Sequence, residues 1–185
     1  MRRLLIAAAA LSLAIGGCAR TGESPTTSGL PGALDSAEQI AFGFRTLITE
    51  GGLLRAEIFG DTALFMQQNT RISLLGVQGD FFGATGAKEA TAVAKRGLFD
   101  TRNNSLEAWG NVVITSVDGR VLRTPMIRYD QSRNQVYSDS AFTLTEPGER
   151  EMRGVGFRAD PNLDAVEVLK VRSGRGGTFT LPGGP

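Results

Sequence analysis

Histidine is absent from this chain of 185 residues, and cysteine and tryptophan occur once each, as Cys18 and Trp109. Without histidine there is no Ser-His-Asp triad, no Cys-His dyad and no histidine-bound metal. With one cysteine there is no disulfide within the chain and no thiolate cluster for a metal. The formal net charge is +1, so no excess of either sign points to nucleic acid as a partner. No stretch is apolar for long enough to span a bilayer. The N-terminal run from Leu4 to Gly17 is 14 residues, interrupted by Ser12, against the roughly 20 that a spanning helix needs. Enzymes that use only carboxylates remain open, and no cofactor or metal is expected.

What the chain does have begins at its first residues. Arg2-Arg3 make a positive start, Leu4 to Leu13 are apolar apart from Ser12, and Ile15-Gly16-Gly17-Cys18 follows. An apolar residue, two small residues and a cysteine form a bacterial lipobox at the end of a signal peptide. Cleavage before Cys18 would leave its thiol carrying a diacylglycerol and its new amino group a third acyl chain. Two or three chains hold a protein firmly on a membrane, where one holds it only marginally. The plainer alternative is a signal peptide with a chance cysteine.

The chain then divides by texture. Residues 1–17 read as the signal, and 18–35, rich in Thr, Ser, Gly and Pro, as a lipidated flexible tether. Ser36-Ala37-Glu38-Gln39 has the form of a capping box. Ile40, Phe44, Leu47 and Ile48 follow at helical spacing, and Gly51-Gly52 would end a helix. Ile40, Phe42 and Phe44 also alternate as a strand would. The expectation for 36–52 is a short helix or connecting segment. From 53 to 172 short strands recur, separated by Asn103-Asn104, Asp118-Gly119, Arg133-Asn134, Pro147-Gly148 and Pro161-Asn162. Asp-Gly between Val113-Ile114 and Val121-Leu122 is a strong hairpin signal. Residues 173–185 read as a Gly-rich tail, with the last strand ending near Arg172.

An internal repeat sharpens the strand reading. Leu98-Phe99-Asp100, Asn104, Leu106, Val112 and Ile114 recur 30 residues later as Arg128-Tyr129-Asp130, Asn134, Val136, Phe142 and Leu144. A third copy has Arg158-Ala159-Asp160, Asp164 and Val166. A weaker earlier one has Leu64-Phe65, Ile72 and Gly76, 34 residues before Leu98-Phe99, Leu106 and Gly110. Each unit is strand, tight turn, strand. Such units bury their apolar face only by stacking on neighbours, which makes the chain all-β: a sandwich, roll or solenoid. Asp100, Asp130 and Asp160 stand just before turns, where an aspartate accepts hydrogen bonds from nearby backbone amides.

Leu106-Glu107-Ala108-Trp109-Gly110-Asn111-Val112-Val113-Ile114 followed by Asp118-Gly119 resembles the signature of periplasmic lipopolysaccharide-transport proteins. Leu122-Arg123-Thr124, Ile127-Arg128-Tyr129-Asp130, Val136-Tyr137-Ser138-Asp139 and Gly154-Val155-Gly156-Phe157 continue it. The closest branch is the LptC family, among the OstA-like proteins. The resemblance implies an open, curved β-jellyroll of antiparallel strands with an apolar interior. It implies lipopolysaccharide received from an inner-membrane ABC transporter and passed to a soluble OstA-like bridge protein through strand-to-strand contacts at sheet edges. The best-known members carry an uncleaved transmembrane helix where this chain has a lipobox. The implied location is the periplasm, on the inner membrane by the family's role. Ala19 gives no clear retention signal, which leaves the outer membrane open.

The residues expected to line a lipid-binding groove are Leu106, Val112, Ile114, Ile127, Tyr129, Val136, Phe142 and Leu144. Ordinary core packing would give the same alternation. Trp109 falls in the opposite phase, as an outward contact residue or a sign that the facing is inverted. Arg96, Arg123, Arg128, Arg153 and Arg158 would meet lipid phosphates near a rim, or are scattered surface arginines. Two other readings stand beside lipid transfer. One is a scaffold lipoprotein that binds protein partners by sheet-edge pairing and has an interior packed with side chains. The other is a carboxylate enzyme using Asp100 and Asp130, which their place at turns disfavours.

Overall fold

The computed structural model describes residues 37–148 and 150–175. Nine strands follow one another: β1 (Gln39–Glu50), β2 (Leu53–Met66), β3 (Arg71–Phe82), β4 (Lys88–Asp100), β5 (Ser105–Ser116), β6 (Val121–Asp130), β7 (Gln135–Glu146), β8 (Arg150–Ala159) and β9 (Val166–Arg175). They form one antiparallel sheet in chain order, so each strand pairs with its sequence neighbours and β1 and β9 are its two edges. Among the described residues the sole helical turn is a 3-10 turn at Gln131–Arg133. The all-β, open jellyroll expectation is met.

The repeat is the hairpin. Asp100 ends β4, Asp130 ends β6 and Asp160 follows β8, so the three copies are β4–β5, β6–β7 and β8–β9. The Asp118-Gly119 turn joins β5 to β6, closed by Gly119 N–H donating to the Ser116 carbonyl at 3.1 Å.

Two expectations are corrected. The segment 36–52 is no helix; its described part is the edge strand β1, and the sheet begins at Gln39 rather than Leu53. β1 bonds along β2 from Gln39↔Phe65 to Glu50↔Leu53. Its helical stripe has no second layer to bury against, whereas the free edge of β2 offers partners to every backbone amide. Gly43, in the left-handed region at φ +65°, would also weaken a helix. The last strand runs to Arg175, because Ser173, Gly174 and Arg175 still pair with Arg153, Met152 and Glu151. The signal, the Cys18 lipobox, the 18–35 tether and residues 176–185 lie outside the described residues.

The strands span 10 to 14 residues, long for a globular sheet. They fit because each ladder is interrupted near its middle. The interruptions fall at Gly43 and Asp61, at Gly76 and Lys95, at Gly110-Asn111 and Pro125, at Asp139-Ser140, and at Gly156. Bulges of this kind bend a strand and sharpen its twist. Four of them hold a glycine at positive φ: Gly43, Gly76, Gly110 and Gly156. Gly76 has φ +60° and a Cβ there would lie 1.9 Å from the Asp61 carboxylate; Gly110 has φ +85°.

The row of bends folds the sheet over on itself. Call the half of each strand beside the β1–β2, β3–β4, β5–β6 and β7–β8 turns its near half, and the other its far half. Phe81 in the near half of β3 meets Tyr129 in the far half of β6, edge to face, with ring centroids 5.2 Å apart. Gln131, just past β6, donates to the Thr49 carbonyl of β1 at 3.0 Å. Arg120, in the β5–β6 turn, donates to the Leu163 carbonyl in the β8–β9 turn at 3.0 Å and pairs with Asp164. The halves that face each other thus belong to strands several places apart.

Candidate functional site

The inner face is where the expected groove residues gather. Leu106, Ile127, Tyr129 and Val136 stand on far halves; Val112, Ile114, Phe142 and Leu144 stand on near halves. All eight are at most 4% exposed and belong to one apolar cluster. Trp109 is half-buried on the outer face, so the assigned facing is the one the chain adopts. Ile58, Leu74, Phe81 and Phe157 are among its other members and were missed by the sequence reading. The bends explain why: in β3 the inward phase passes from Leu74 to Val77 across Gly76, so strict alternation fails there.

The interior is filled. Between Val77, Phe81, Leu106, Ile127 and Tyr129 a void of about 10 Å³ remains, roughly what a single water needs. Phe142 and Phe157 stack edge to face at 5.2 Å. Polar groups that point inward are paired at the bends. Thr124 Oγ1 donates to the Ala141 carbonyl at 3.0 Å, and Ser138 Oγ accepts from Ser140 N–H at 3.1 Å. Burial pushes the Tyr129 phenol up to about 12, and its hydroxyl donates to Asn134 Oδ1 at 3.3 Å.

The edges contrast with this. In β1 only Ile48 is buried, and Phe42 is 62% exposed; β9 is exposed from Leu169 to Arg175. Among the described residues, each edge strand leaves one row of backbone groups without a ladder partner.

The turn aspartates serve their turns. Asp100 accepts from Arg102 N–H at 3.0 Å, Asp130 from Arg133 N–H at 3.3 Å, and Asp160 from Ala165 N–H at 2.9 Å. Hydrogen bonds from the Arg102 side chain hold the Asp100 carboxyl below its ordinary value, and the Ser132 hydroxyl does the same for Asp130. Burial raises Asp160. Asp100 and Asp130 are carried on strands separated by β5, and each is engaged by its own arginine, Arg102 and Arg133. No group of three or more potential metal ligands occurs among the described residues.

The five arginines part company. Arg128 meets Glu107 at 3.3 Å and Asp139 at 3.5 Å, and Arg158 meets Glu167 at 3.8 Å. Arg96 sits opposite Trp109. Arg123 and Arg153 lie on the outer face, in a cleft of about 1220 Å³ that spans β5 to β9. Two cross-strand rows of outward side chains line it. One is Val113, Arg123, Thr143, Arg153 and Ser173, each paired with the next. The other, nearer the bends, contains Trp109 opposite Met126, and Ala141 opposite Val155.

The family model for lipopolysaccharide-assembly, LptC-related proteins matches residues 4–174, from the N-terminal apolar run through nearly all of β9. The chain belongs to the LptC family. No curated protein matches it. Membership gives the LptC-related chain a role in lipopolysaccharide transport in the periplasm, among the components of that transport system. Among the described residues of this LptC-related chain, no helix is long and apolar enough to cross a membrane.

Proposed function

We propose that the protein is a lipoprotein anchored by acyl chains on Cys18. It receives lipopolysaccharide from the inner-membrane ABC transporter and passes it to a soluble OstA-like bridge protein, with no chemical step of its own. The acyl chains lie against the inner face, on Leu106, Val112, Ile114, Ile127, Tyr129, Val136, Phe142 and Leu144. One observation carries this reading: a sheet whose inner face is one continuous apolar cluster and whose described residues end in two edge strands, each paired on one side. An acyl chain gains about 0.8 kcal/mol for each methylene it buries. A strand from a partner added to β1 or β9 gains backbone hydrogen bonds and extends the apolar face into the next protein.

The filled interior sets a condition on this function. Lipid enters only where facing halves part, which breaks the Phe81–Tyr129 contact and the bridges from Gln131 to Thr49 and from Arg120 to Leu163. The same observation favours the second reading, a scaffold that pairs partners by its edges and carries no lipid.

Photo-crosslinking in cells with an active transporter separates the two. A photoreactive residue replaces Val112, Phe142 or Leu144, with the outward Glu107 as control. Lipopolysaccharide adducts at the three inward sites and none at Glu107 are the expected result. No adduct at any site in folded protein would leave the scaffold reading.

A further inference from the structure

We infer that the outer cleft is a second lipid seat, one that holds an acylated sugar bearing two phosphates against the outside of the sheet. This inference rests on the lipopolysaccharide reading above and places part of the cargo where that reading does not.

The size is the first argument. The cleft is open to solvent and offers about 1220 Å³, more than the ~300–1,000 Å³ of sites for small molecules. It crosses five strands, which at ~4.8 Å per strand is about 19 Å. One leaflet of a bilayer's hydrocarbon core is about 15 Å, so an acyl chain fits across it. The interior, by contrast, is filled.

Amphipathic order is the second. Trp109, Met126 and Val155 form the apolar side nearer the bends. Arg123 and Arg153 stand in the adjacent row, with Arg172 beside them on β9. None of the residues lining the cleft is acidic. Arg123 and Arg172 form no ion pair among the described residues, and the pair of Arg153 with Glu151 at 2.8 Å joins two solvent-facing side chains. Such an exposed pair is worth less than about 1 kcal/mol, so a phosphate displaces it readily.

Spacing decides the occupant. Arg123 and Arg153 are two strands apart, about 10 Å at the backbone. Two guanidinium groups so separated suit two phosphates on one headgroup. A lipid with one phosphate satisfies one of them. An acidic protein segment would match the charge and leave the apolar row beside it without a continuous partner.

Trp109 is the one tryptophan of the chain and sits in this cleft, so its fluorescence reports on the seat directly. The full chain is titrated with diphosphoryl lipid A in mixed micelles, with monophosphoryl lipid A and phosphatidylglycerol as comparison probes. A saturable blue shift is expected, tightest for the diphosphoryl form. Arg123→Gln and Arg153→Gln each weaken it about tenfold, and the double variant about a hundredfold. Both side chains are solvent-exposed, and circular dichroism of the variants checks the fold. Equal shifts with phosphatidylglycerol would overturn the two-phosphate occupant. An unmoved Trp109 in protein that still crosslinks lipopolysaccharide at Leu144, which is buried on the inner face and does not line the cleft, would overturn the outer seat and leave the transport reading intact. Neither signal would remove both.

Discussion

The middle of the sheet and its two edges are built from similar strands and do opposite things. From β3 to β8 the inner side chains are nearly all buried, and facing halves meet through Phe81 and Tyr129. In β1 and β9 the inward side chains are only partly covered: Phe44, Val166 and Val168 are half-buried against the core, and Val171 is 50% exposed. Nothing in local propensity separates the two regions, since both are β-branched and aromatic. The difference comes from what faces them. Bent strands cover halves that lie several strands away, so among the described residues the far half of β1 and the near half of β9 have no opposite number. Stability is therefore concentrated in the middle of the sheet, and the ends contribute less to it.

Truncation should break that contrast most sharply. Phe157→Ala in the middle is expected to destabilise by about 3–5 kcal/mol in urea unfolding, through lost burial and the cavity left beside Phe142. A loss below 1 kcal/mol would mean the interior is loosely packed.

Alkali probes the same region by charge. The Tyr129 phenol ionises near 12 in the folded protein against 10 in the unfolded chain. Its contribution is fully present below pH 10 and is lost as the pH rises through 10 toward 12. About 3 kcal/mol is at stake. Unfolding free energies from pH 9 to 12, wild type against Tyr129→Phe, should diverge by that amount, and parallel curves would place the phenol in water.

The bends come next. Gly110→Val puts a β-branched side chain at φ +85° with its Cβ 3.0 Å from that of Lys95, and about 2 kcal/mol of destabilisation is expected from thermal unfolding. Arg120→Ala removes the bridge between the β5–β6 and β8–β9 turns, with an expected cost of about 1 kcal/mol. It should also raise lipid crosslinking at Phe142 if parting of the halves admits lipid; unchanged yield would place the entrance elsewhere. Phe42→Ala at the β1 edge should change stability by no more than about 0.5 kcal/mol. Its effect belongs in co-purification with the transporter, and a large loss of stability there would mean β1 is part of the core.

Much of this was legible without coordinates. Alternation at Leu106 to Ile114 and at Val136 to Leu144 gives the inward face, because a strand has a period of two whatever surrounds it. The 30-residue repeat gives the hairpin, and Asp118-Gly119 the turn that joins one copy to the next. What escaped was non-local. β1 carries helical spacing and a strand's alternation at once, and the free edge of β2 decided between them. The phase shift from Leu74 to Val77 depends on a bulge that only the neighbouring strands enforce.

The sequence by itself determined the class of the protein: all-β, without histidine chemistry, and with the ordered motifs of the LptC family. These follow from composition and short-range periodicity, which act through a residue and its immediate neighbours. Only the tertiary structure decided that the sheet bends along one row, that its interior is filled and that a cationic, apolar cleft forms outside. Those depend on which strands come to face one another, and that is set by register and twist summed over nine strands, a quantity no local stretch of the chain contains.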